Sequence, residues 1–328
     1  MKISPILEVR IEAARRLGCD VELLDGETGY LVVLRLGDRH RVLQGGISPL
    51  NNAMAFQLAT DKYHASVLLK RAGFQVPRSA RCLKPGFFPD EDFTAHTGFE
   101  GAHALVEALG FPVLIKPNRG SRGQWIQVVH TGEALEAAVR EVWERDYLAL
   151  VQEVISGMDV RLDFLDGEYL LGYTRRPVHL EGDGRSTVRQ LLARQDPRFS
   201  REEFLNRMIR DPLWPRDATP EAVLPAGTLL DAATPILNLN RPCFAEPLRE
   251  LPEPWLRAGL AVGRVLGLRH FGVDFRVAGE REEVEAAFVL EVNASPSMVQ
   301  MARMGHREWA VRAEEKVVRA ILGLGPSV

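Results

Sequence analysis

The stretch that most constrains the fold is residues 112–129, PVLIKPNRGSRGQWIQVV, in which two β-branched apolar runs flank a short polar loop. The runs predict two adjacent strands. Gly120 and Gly123 in the loop allow several backbone N–H groups to point into one concavity, which suits phosphate oxygens. The loop is neither a Walker loop nor a dinucleotide fingerprint, because the lysine precedes the glycines and no GK[ST] follows. By itself the pattern fits a flexible hairpin turn equally well, so only the flanking residues can distinguish a phosphate-binding loop from a simple turn.

Composition narrows the class of protein. The chain has 328 residues, 46% of them hydrophobic, which is enough for a sizeable core in two or three subdomains. A formal net charge of -3 gives no global argument for binding nucleic acid or an anionic membrane. Cys19, Cys82 and Cys243 lack the close spacing of a metal site or disulfide framework, and they predict packed thiols in a reducing compartment. No apolar run reaches bilayer length and no signal peptide is recognisable, so we expect a cytoplasmic protein.

Hydrophobic periodicity predicts an α+β architecture in which helices cover paired strands. Thr60 is the predicted N-cap of a helix that stops at Gly73, and Thr131 is the predicted N-cap of another. Asp166 and Gly167 between two strand-like runs predict a hairpin. Further helices are predicted over 5–17, 101–109, 254–266 and 307–322, and strands at DVELLD, YLVVLRLGDRHRVLQ, YLALVQEVI, HFGVDFRV and AAFVLEVNA.

The chain divides into three predicted parts. They are a short amino-terminal α/β region over 1–56, a central part over 57–150 that holds the Gly-rich loop, and a carboxyl-terminal part over 151–328. Residues 182–252 are rich in Pro, Arg and Asp with weak periodicity, so surface helices and long loops are expected there.

Two lysines accompany the loop. Lys116 ends an apolar strand, where an ammonium ion needs a strong acceptor such as a phosphate, although an exposed strand-end lysine is the simpler reading. Lys62 stands in the first turn of its helix, where the helix dipole disfavours a cation unless an anion is near. A solvated lysine is the alternative for Lys62.

Three oxygen-bearing side chains lie on the last strand pair. Asp274 stands in FGVDFRV, while Glu291 and Asn293 are two residues apart in VLEVNA and therefore share one face of the sheet. Oxygen ligands clustered on one face suit a hard cation such as magnesium. Edge-strand charges that point to water are the weaker alternative, because Glu291 has apolar neighbours on both sides.

Taken in order, these features resemble the carboxylate-amine ligases of the ATP-grasp superfamily. The stretches that carry the resemblance are TDKYHASVLLKRAGFQVP, FPVLIKPNRGSRGQWIQVV, VQEVISGMDVRLDFLDGEYLLGYTRRP, EGDGRSTVRQLL and FGVDFRV with VLEVNASPSM, which cover most of 57–300. The chain is most similar to the ligase module of cyanophycin synthetases, and more distantly similar to glutathione synthetases and D-alanine–D-alanine ligases. The resemblance implies an ATP-grasp fold, with the nucleotide in a cleft between a small lid part and a larger antiparallel sheet.

The resemblance also implies roles for individual residues. Lys62 and Lys116 would contact the phosphates of ATP, and the loop from Arg119 to Gly123 would close over them. Asp159 would take the ribose hydroxyls, and Arg161 and Arg176 would steady the transferred phosphoryl group or a substrate carboxylate, with surface arginines an equal alternative for each. Asp274, Glu291 and Asn293 would hold Mg²⁺, with Mn²⁺ as a substitute. The loop residues include Gly120, Ser121 and Gly123, and the adenine slot is formed by Gln152, Glu153, Val154 and Ile155.

The implied reaction joins a carboxylate, activated by ATP as an acyl phosphate, to an amine, with amino acids or short peptides as substrates. Two alternatives remain open, a phosphotransferase or ligase with a non-amine nucleophile, and a nucleotide-binding regulator without turnover. Residues 237–248, LNLNRPCFAEPL, depart from the family pattern and leave the product open. The expected partners are small molecules rather than nucleic acid or membrane, and a homodimer stays open.

Overall fold

Antiparallel sheets organise the chain in the computed structural model, which describes residues 3–26, 28–88, 97–120, 123, 125–210, 214–232, 243–277 and 284–325. The helices are α1 Glu8–Arg16, α2 Ala53–Thr60, α3 Lys62–Arg71, α4 Glu100–Leu109, α5 Gly132–Trp143, α6 Val188–Gln195, α7 Glu202–Ile209, α8 Glu253–Leu266, α9 Val299–Met301 and α10 Arg307–Leu322. The strands are β1 Asp20–Leu23, β2 Leu31–Leu36, β3 Arg39–Gln44, β4 Ser79–Leu83, β5 Val113–Pro117, β6 Gln127–Val129, β7 Leu148–Glu153, β8 Met158–Leu165, β9 Glu168–Arg176, β10 Val178–Glu181, β11 Leu229–Ala232, β12 Phe244–Pro247, β13 His270–Val277 and β14 Phe288–Asn293. The predicted α+β class is confirmed.

The amino-terminal elements pack on the end of the chain. The predicted hairpin is present as β2 and β3, which form a three-stranded sheet with β1. Val9 of α1, Val32 of β2, Leu171 of β9 and Val317 of α10 belong to one buried cluster. Residues 1–56 therefore share a core with the carboxyl-terminal part, and the proposed boundary between 56 and 57 falls inside α2.

The central sheet has the order β4-β7-β5-β6 and is covered by α4 and α5. The two strands predicted over 112–129 are present as the antiparallel pair β5 and β6. Thr131 caps α5 as predicted, since its hydroxyl accepts from Ala134 N at 3.2 Å. Thr60 does not cap α3. It ends α2, and Asp61 takes the cap because its carboxylate accepts from His64 N at 2.9 Å.

The larger sheet has the order β12-β9-β8-β13-β14. The predicted hairpin joins β8 to β9 through Asp166 and Gly167, whose φ angles of 48° and 90° are both in the left-handed region. The predicted pairing of the last two strands is confirmed as an antiparallel β13–β14 ladder. Helix α8 covers this sheet and ends at Gly267 in the left-handed conformation, as predicted.

Residues 178–232 differ from the prediction of surface helices and long loops. The ribbon β10–β11 and the helices α6 and α7 enclose a buried cluster of their own, which includes Leu192, Phe199, Leu205 and Trp214. Helices α6 and α7 have eight residues each, which is too short for a clear hydrophobic periodicity. This core could therefore not be predicted from the sequence. Of the divergent segment at 237–248, only residues from 243 onward are described. None of the described helices is long and apolar enough to cross a bilayer.

Candidate active site

A cleft of about 460 Å³ lies between the central sheet and the larger sheet. The central sheet and its loops contribute Leu114, Lys116, Ile126 and the segment from Gln152 to Ile155. The larger sheet contributes charged side chains, and a third group comes from the residues after β14. These two groups are Asp159, Arg161, Tyr173, Arg175, Asp274, Arg276, Leu290, Glu291 and Asn293 from the sheet, and Ser297, Val299, Gln300 and Arg303 from the residues beyond it.

Apolar side chains line the cleft together with a stretch of β7 and the residues after it. Leu114, Ile126 and Leu290 are among the apolar lining residues, and the chain from Gln152 to Ile155 also lines the cleft. Glu153 forms an ion pair with Arg78, and the Ile155 carbonyl accepts from Arg276 Nη1 at 2.5 Å. Gln152, Glu153 and Ile155 therefore lie together at the cleft, as the sequence predicted.

Lys116 is a buried cation at the end of β5. It is 6% exposed, lines the cleft, and makes no hydrogen bond or ion pair with any of the residues that the structure describes. The pKa of the Lys116 ammonium is lowered from 10.5 to about 8, first by burial and then by the charge of Lys62, while Glu291 opposes the change. The alternative of an exposed lysine is wrong. A buried ammonium that has no protein partner but faces a cleft is suited to an anionic ligand.

Lys62, the first residue of α3, binds the β5–β6 loop. Its Nζ donates to the Gly120 carbonyl at 2.8 Å and lies 3.9 Å from Glu291 Oε1. The side chain is 8% exposed, so the alternative of a solvated lysine is also wrong. Asn118 Oδ1 accepts from Tyr63 N at 3.0 Å, which ties the start of the loop to the same helix.

Asp274, Glu291 and Asn293 come together as predicted. The register pairs Asp274 with Glu291 and Gly272 with Asn293, which places the three side chains at one edge of the cleft. Asn293 Nδ2 donates to Asp274 Oδ2 at 3.3 Å. Within the described chain no three His, Cys, Asp or Glu side chains are arranged to hold a metal, so a cation here would use two carboxylates, the Asn293 amide oxygen and ligand oxygens. That donor set fits a hard divalent cation.

Two arginines neutralise Asp274. Arg161 Nη1 donates to its Oδ2 at 2.9 Å, and Arg175 Nη2 donates to its Oδ1 at 2.6 Å. Burial alone would raise the pKa of Asp274, but the two guanidinium groups hold it below its usual value. Asp274 is therefore an ionised carboxylate in the free protein.

Asp159 is the most enclosed of the predicted residues. It is 2% exposed, its Oδ2 lies 3.0 Å from Arg175 Nη2, and it forms a second ion pair with Arg276. Burial raises the pKa of Asp159, and both arginines oppose that rise. Its carboxylate is thus held by the protein, and a sugar hydroxyl would have to share it.

Arg176 does not belong to the cleft. It is exposed, and its guanidinium lies 5.1 Å from the centre of the Phe244 ring. Arg175 takes the place that was predicted for Arg176. The reason is a register shift between Asp163 and Phe164, which pairs Asp159 with Arg175 and not with Thr174. A one-residue shift moves every following side chain to the opposite face, and nothing local in the sequence reveals it.

Most of the other predicted residues line the cleft. Arg276 was missed, although its spacing of two from Asp274 on β13 is a signal that could have found it. Ser121 lies outside the described residues, and Lys62, Arg119 and Gly120 are described but do not line the cleft. The predicted residues that line it are Lys116, Gly123, Gln152, Glu153, Val154, Ile155, Asp159, Arg161, Asp274, Glu291 and Asn293.

Comparison with known proteins agrees with this geometry. Residues 69–177 match the family described as the D-ala D-ala ligase C-terminus. Cyanophycin synthetase from Nostoc sp. is 26% identical over 309 residues, which cover 90% of this chain and 32% of that protein. The glutathione biosynthesis bifunctional protein of Streptococcus mutans is 26% identical over 199 residues, which cover 60% of this chain and 24% of that protein. The chain thus spans about a third of the length, 32%, of the first of these relatives.

A solved structure shares the fold over nearly the whole chain. The crystal structure of a bifunctional glutathione synthetase from Pasteurella multocida superposes with a TM-score of 0.56 at 19% identity. The match covers 91% of this chain and 41% of that one.

Proposed function

We propose that this chain, which has the ATP-grasp fold found in carboxylate-amine ligases, is an ADP-forming ligase that joins a carboxylate to an amine. The observation that carries the proposal is Lys116, a buried ammonium that has no hydrogen bond or ion pair among the described residues and that shares a cleft with Asp274, Glu291 and Asn293. An unpaired cation facing oxygen ligands suits a bound phosphate chain with its divalent cation.

ATP would lie along the cleft. The adenine would stack between Leu114, Ile126 and Leu290, with its edge toward the backbone from Gln152 to Ile155. The phosphates would reach Lys116, and the glycines of the β5–β6 loop would allow its backbone to approach them. Mg²⁺ held by Asp274, Glu291 and Asn293 would neutralise charge on the phosphates.

The chemistry has two steps. The substrate carboxylate attacks the γ-phosphorus, the bond to the β-phosphate oxygen breaks, and an acyl phosphate and ADP are formed. The amine then attacks the acyl carbon, inorganic phosphate leaves, and the ammonium proton passes to solvent or a base. Both steps depend on positioning and charge neutralisation, which Lys116, Arg161 and Arg175 would supply. Since water would hydrolyse an acyl phosphate, exclusion of solvent from the cleft would protect the intermediate.

The test is a substrate screen. We expect ADP and phosphate release only when a carboxylate and an amine are both present, with a condensed product detected by mass spectrometry. Amino acids and dipeptides are the first compounds to screen in both roles. A phosphorylated product that accumulates irrespective of the amine would indicate a phosphotransferase, and ATP binding without turnover across the screen would indicate a regulator; either outcome contradicts the proposal.

The affinity for ATP should fall above pH 8. Because the pKa of Lys116 is about 8 in the free protein, its ammonium is present below that pH and is lost above it. At pH 9 only about a tenth of the ammonium remains, so we expect ATP to bind up to about tenfold more weakly than at pH 7.5. Calorimetric titration at several pH values measures this. Lys116→Met is the control, and an equal pH dependence in both proteins would contradict the assignment.

Arg175 and Arg176 should differ sharply in their importance. Arg175→Lys keeps a charge but loses one of the two contacts to Asp159 and Asp274, so we expect turnover to fall by about 10- to 100-fold. Arg176→Ala removes only an exposed side chain beside Phe244 and should leave turnover within about twofold of the wild type. Steady-state kinetics on the two variants compares them directly, and the reverse order would show that the register shift in β9 is wrong.

A further inference from the structure

Gly272 occupies the middle of β13 for reasons of space. Its φ is not positive, so the backbone does not require glycine there. A Cβ atom at this position would lie 2.2 Å from Arg161 Nη2 and 2.2 Å from Asp163 Oδ1. Glycine inside a strand usually costs stability, and it is retained where other groups approach the backbone closely. At this point the groups are an arginine and an aspartate of β8.

The arginine is held between two carboxylates. Arg161 Nε donates to Asp163 Oδ1 at 2.6 Å, while its Nη1 donates to Asp274 Oδ2 at 2.9 Å. Arg161 and Asp274 line the cleft, whereas Asp163 is 2% exposed and does not. The hydrogen bond from Arg161 Nε therefore links the enclosed Asp163 to a side chain that lines the cleft.

Asp163 determines how many hydrogen bonds Arg161 makes with Asp274. Without Asp163, the guanidinium would be free to turn toward Asp274 and form a two-bond ion pair, the geometry that arginine and carboxylate prefer. Such a pair would add a second Arg161 bond to a carboxylate that already accepts from Arg175, and it would leave Asp274 less available to the proposed cation. With Asp163 in place, Arg161 makes a single bond to Asp274.

We propose that Asp163 and Gly272 are positioning residues for the phosphoryl-transfer step. Asp163 anchors the Arg161 guanidinium by its Nε, and Gly272 leaves the space in which that anchored guanidinium lies against β13. The inference rests on the proposed ligase function. It assigns a role in the reaction to two residues that do not contact the substrate.

The first experiment compares Asp163→Ala with Asp163→Asn. Loss of a charged hydrogen bond predicts that Asp163→Ala lowers kcat by about 10- to 100-fold. The loss of kcat should be smaller in Asp163→Asn, because the asparagine amide oxygen can still accept from Arg161 Nε. The KM for ATP should stay within about twofold in both. In the presence of ADP, the Mg²⁺ titration measured by calorimetry should shift about three- to tenfold toward higher concentration in Asp163→Ala, since Asp274 becomes more strongly paired.

Glu314→Gln is the matched control. Glu314 is also 2% exposed and accepts from Arg10 Nε at 2.8 Å, but neither residue lines the cleft. This variant should lose stability while kcat per folded molecule and the Mg²⁺ titration stay unchanged. The same losses in Glu314→Gln and Asp163→Ala would overturn the positioning role.

Gly272→Ala tests the space independently. The added methyl must displace Arg161 or Asp163, so kcat should fall at least about tenfold. Gly263→Ala is its control, because a Cβ there would meet Phe271 Cζ at 2.1 Å in the hydrophobic core. Both variants should unfold at lower temperature, and only Gly272→Ala should lose kcat per folded molecule. Full kcat in folded Gly272→Ala would overturn the proposal.

A double-mutant cycle separates positioning from general stabilisation. If Asp163 acts through Arg161, Asp163→Ala should cost less than about threefold in an Arg161→Lys background. Additive losses overturn the inference. Should Asp163→Ala fail to fold, Asp163→Asn and Gly272→Ala carry the same comparison. A wild-type protein that lacks amine-dependent ADP release would refute the ligase function, whereas an active wild type with unchanged Asp163 variants would refute the positioning role alone.

Discussion

Glu291→Gln should lower ATP-dependent turnover by about 1,000-fold or more while the protein stays folded, since several kcal/mol of charge stabilisation depend on the cation. Glu291 stands opposite Asp274 in the β13–β14 ladder, and its carboxylate is partly exposed to the cleft. The change removes one negative charge from the proposed Mg²⁺ site at nearly constant volume. Because Asp274 is already bound by two arginines, Glu291 is the carboxylate most available to the cation. Initial rates at saturating ATP and Mg²⁺ measure the effect.

Glu246→Gln is the matched control for this variant. Glu246 lies on β12, an edge strand of the same sheet, and its side chain is exposed and does not line the cleft. We expect its turnover to match the wild type. Thermal unfolding of both variants verifies folding. Turnover of Glu291→Gln within tenfold of the wild type would refute the metal assignment, whatever Glu246→Gln does.

Lys116→Met should weaken ATP binding by about 10- to 150-fold, the range for a lost charge-assisted hydrogen bond. The same change should raise the stability of the free protein. Lys116 is buried without a hydrogen bond or ion pair among the described residues, so its ammonium costs free energy until an anion arrives. Methionine fills a similar volume without a charge. Calorimetry with ATP and thermal unfolding without it measure the two effects.

The stability gain has a defined pH dependence. The pKa of Lys116 is lowered from 10.5 to about 8 on folding, so between these values the unfolded chain binds the proton and the folded protein does not. Wild-type stability therefore rises with pH in this window, and the advantage of Lys116→Met is full below about pH 8 and vanishes toward pH 10.5. A variant that is less stable than the wild type at pH 7 would show that Lys116 has a structural partner.

Lys84→Met is the control for removal of a lysine. Lys84 follows β4 in the same sheet, and its Nζ donates to the Trp143 carbonyl at 2.9 Å. Loss of that bond should lower stability by about 1 kcal/mol and leave the affinity for ATP unchanged. Lys116→Met should therefore raise the stability of the free protein, whereas Lys84→Met should lower it. Only Lys116→Met should change the affinity for ATP.

The sequence by itself determined those parts of the protein that depend on neighbouring residues. Thr131 as a helix cap, Asp166 and Gly167 as a tight turn, and the shared face of Glu291 and Asn293 follow from rules that span two to four residues. Local patterns predicted the α+β class, and the resemblance of five stretches to carboxylate-amine ligases predicted the ATP-grasp fold. Eleven of the predicted site residues also line one cleft.

Only the tertiary structure decided the properties that depend on distant parts of the chain. The register shift beside Asp163 exchanges Arg175 for Arg176, and the side chains that approach Gly272 come from β8, its neighbour in the sheet. Lys116 is buried because distant parts of the chain enclose the end of its strand, and no hydrogen-bond or ion-pair partner lies among the described residues; no local pattern records either property. Local rules fix which side chains alternate along a strand. Burial, pairing and charge state depend on what other strands bring against them, and for that reason they appear only when the chain has folded.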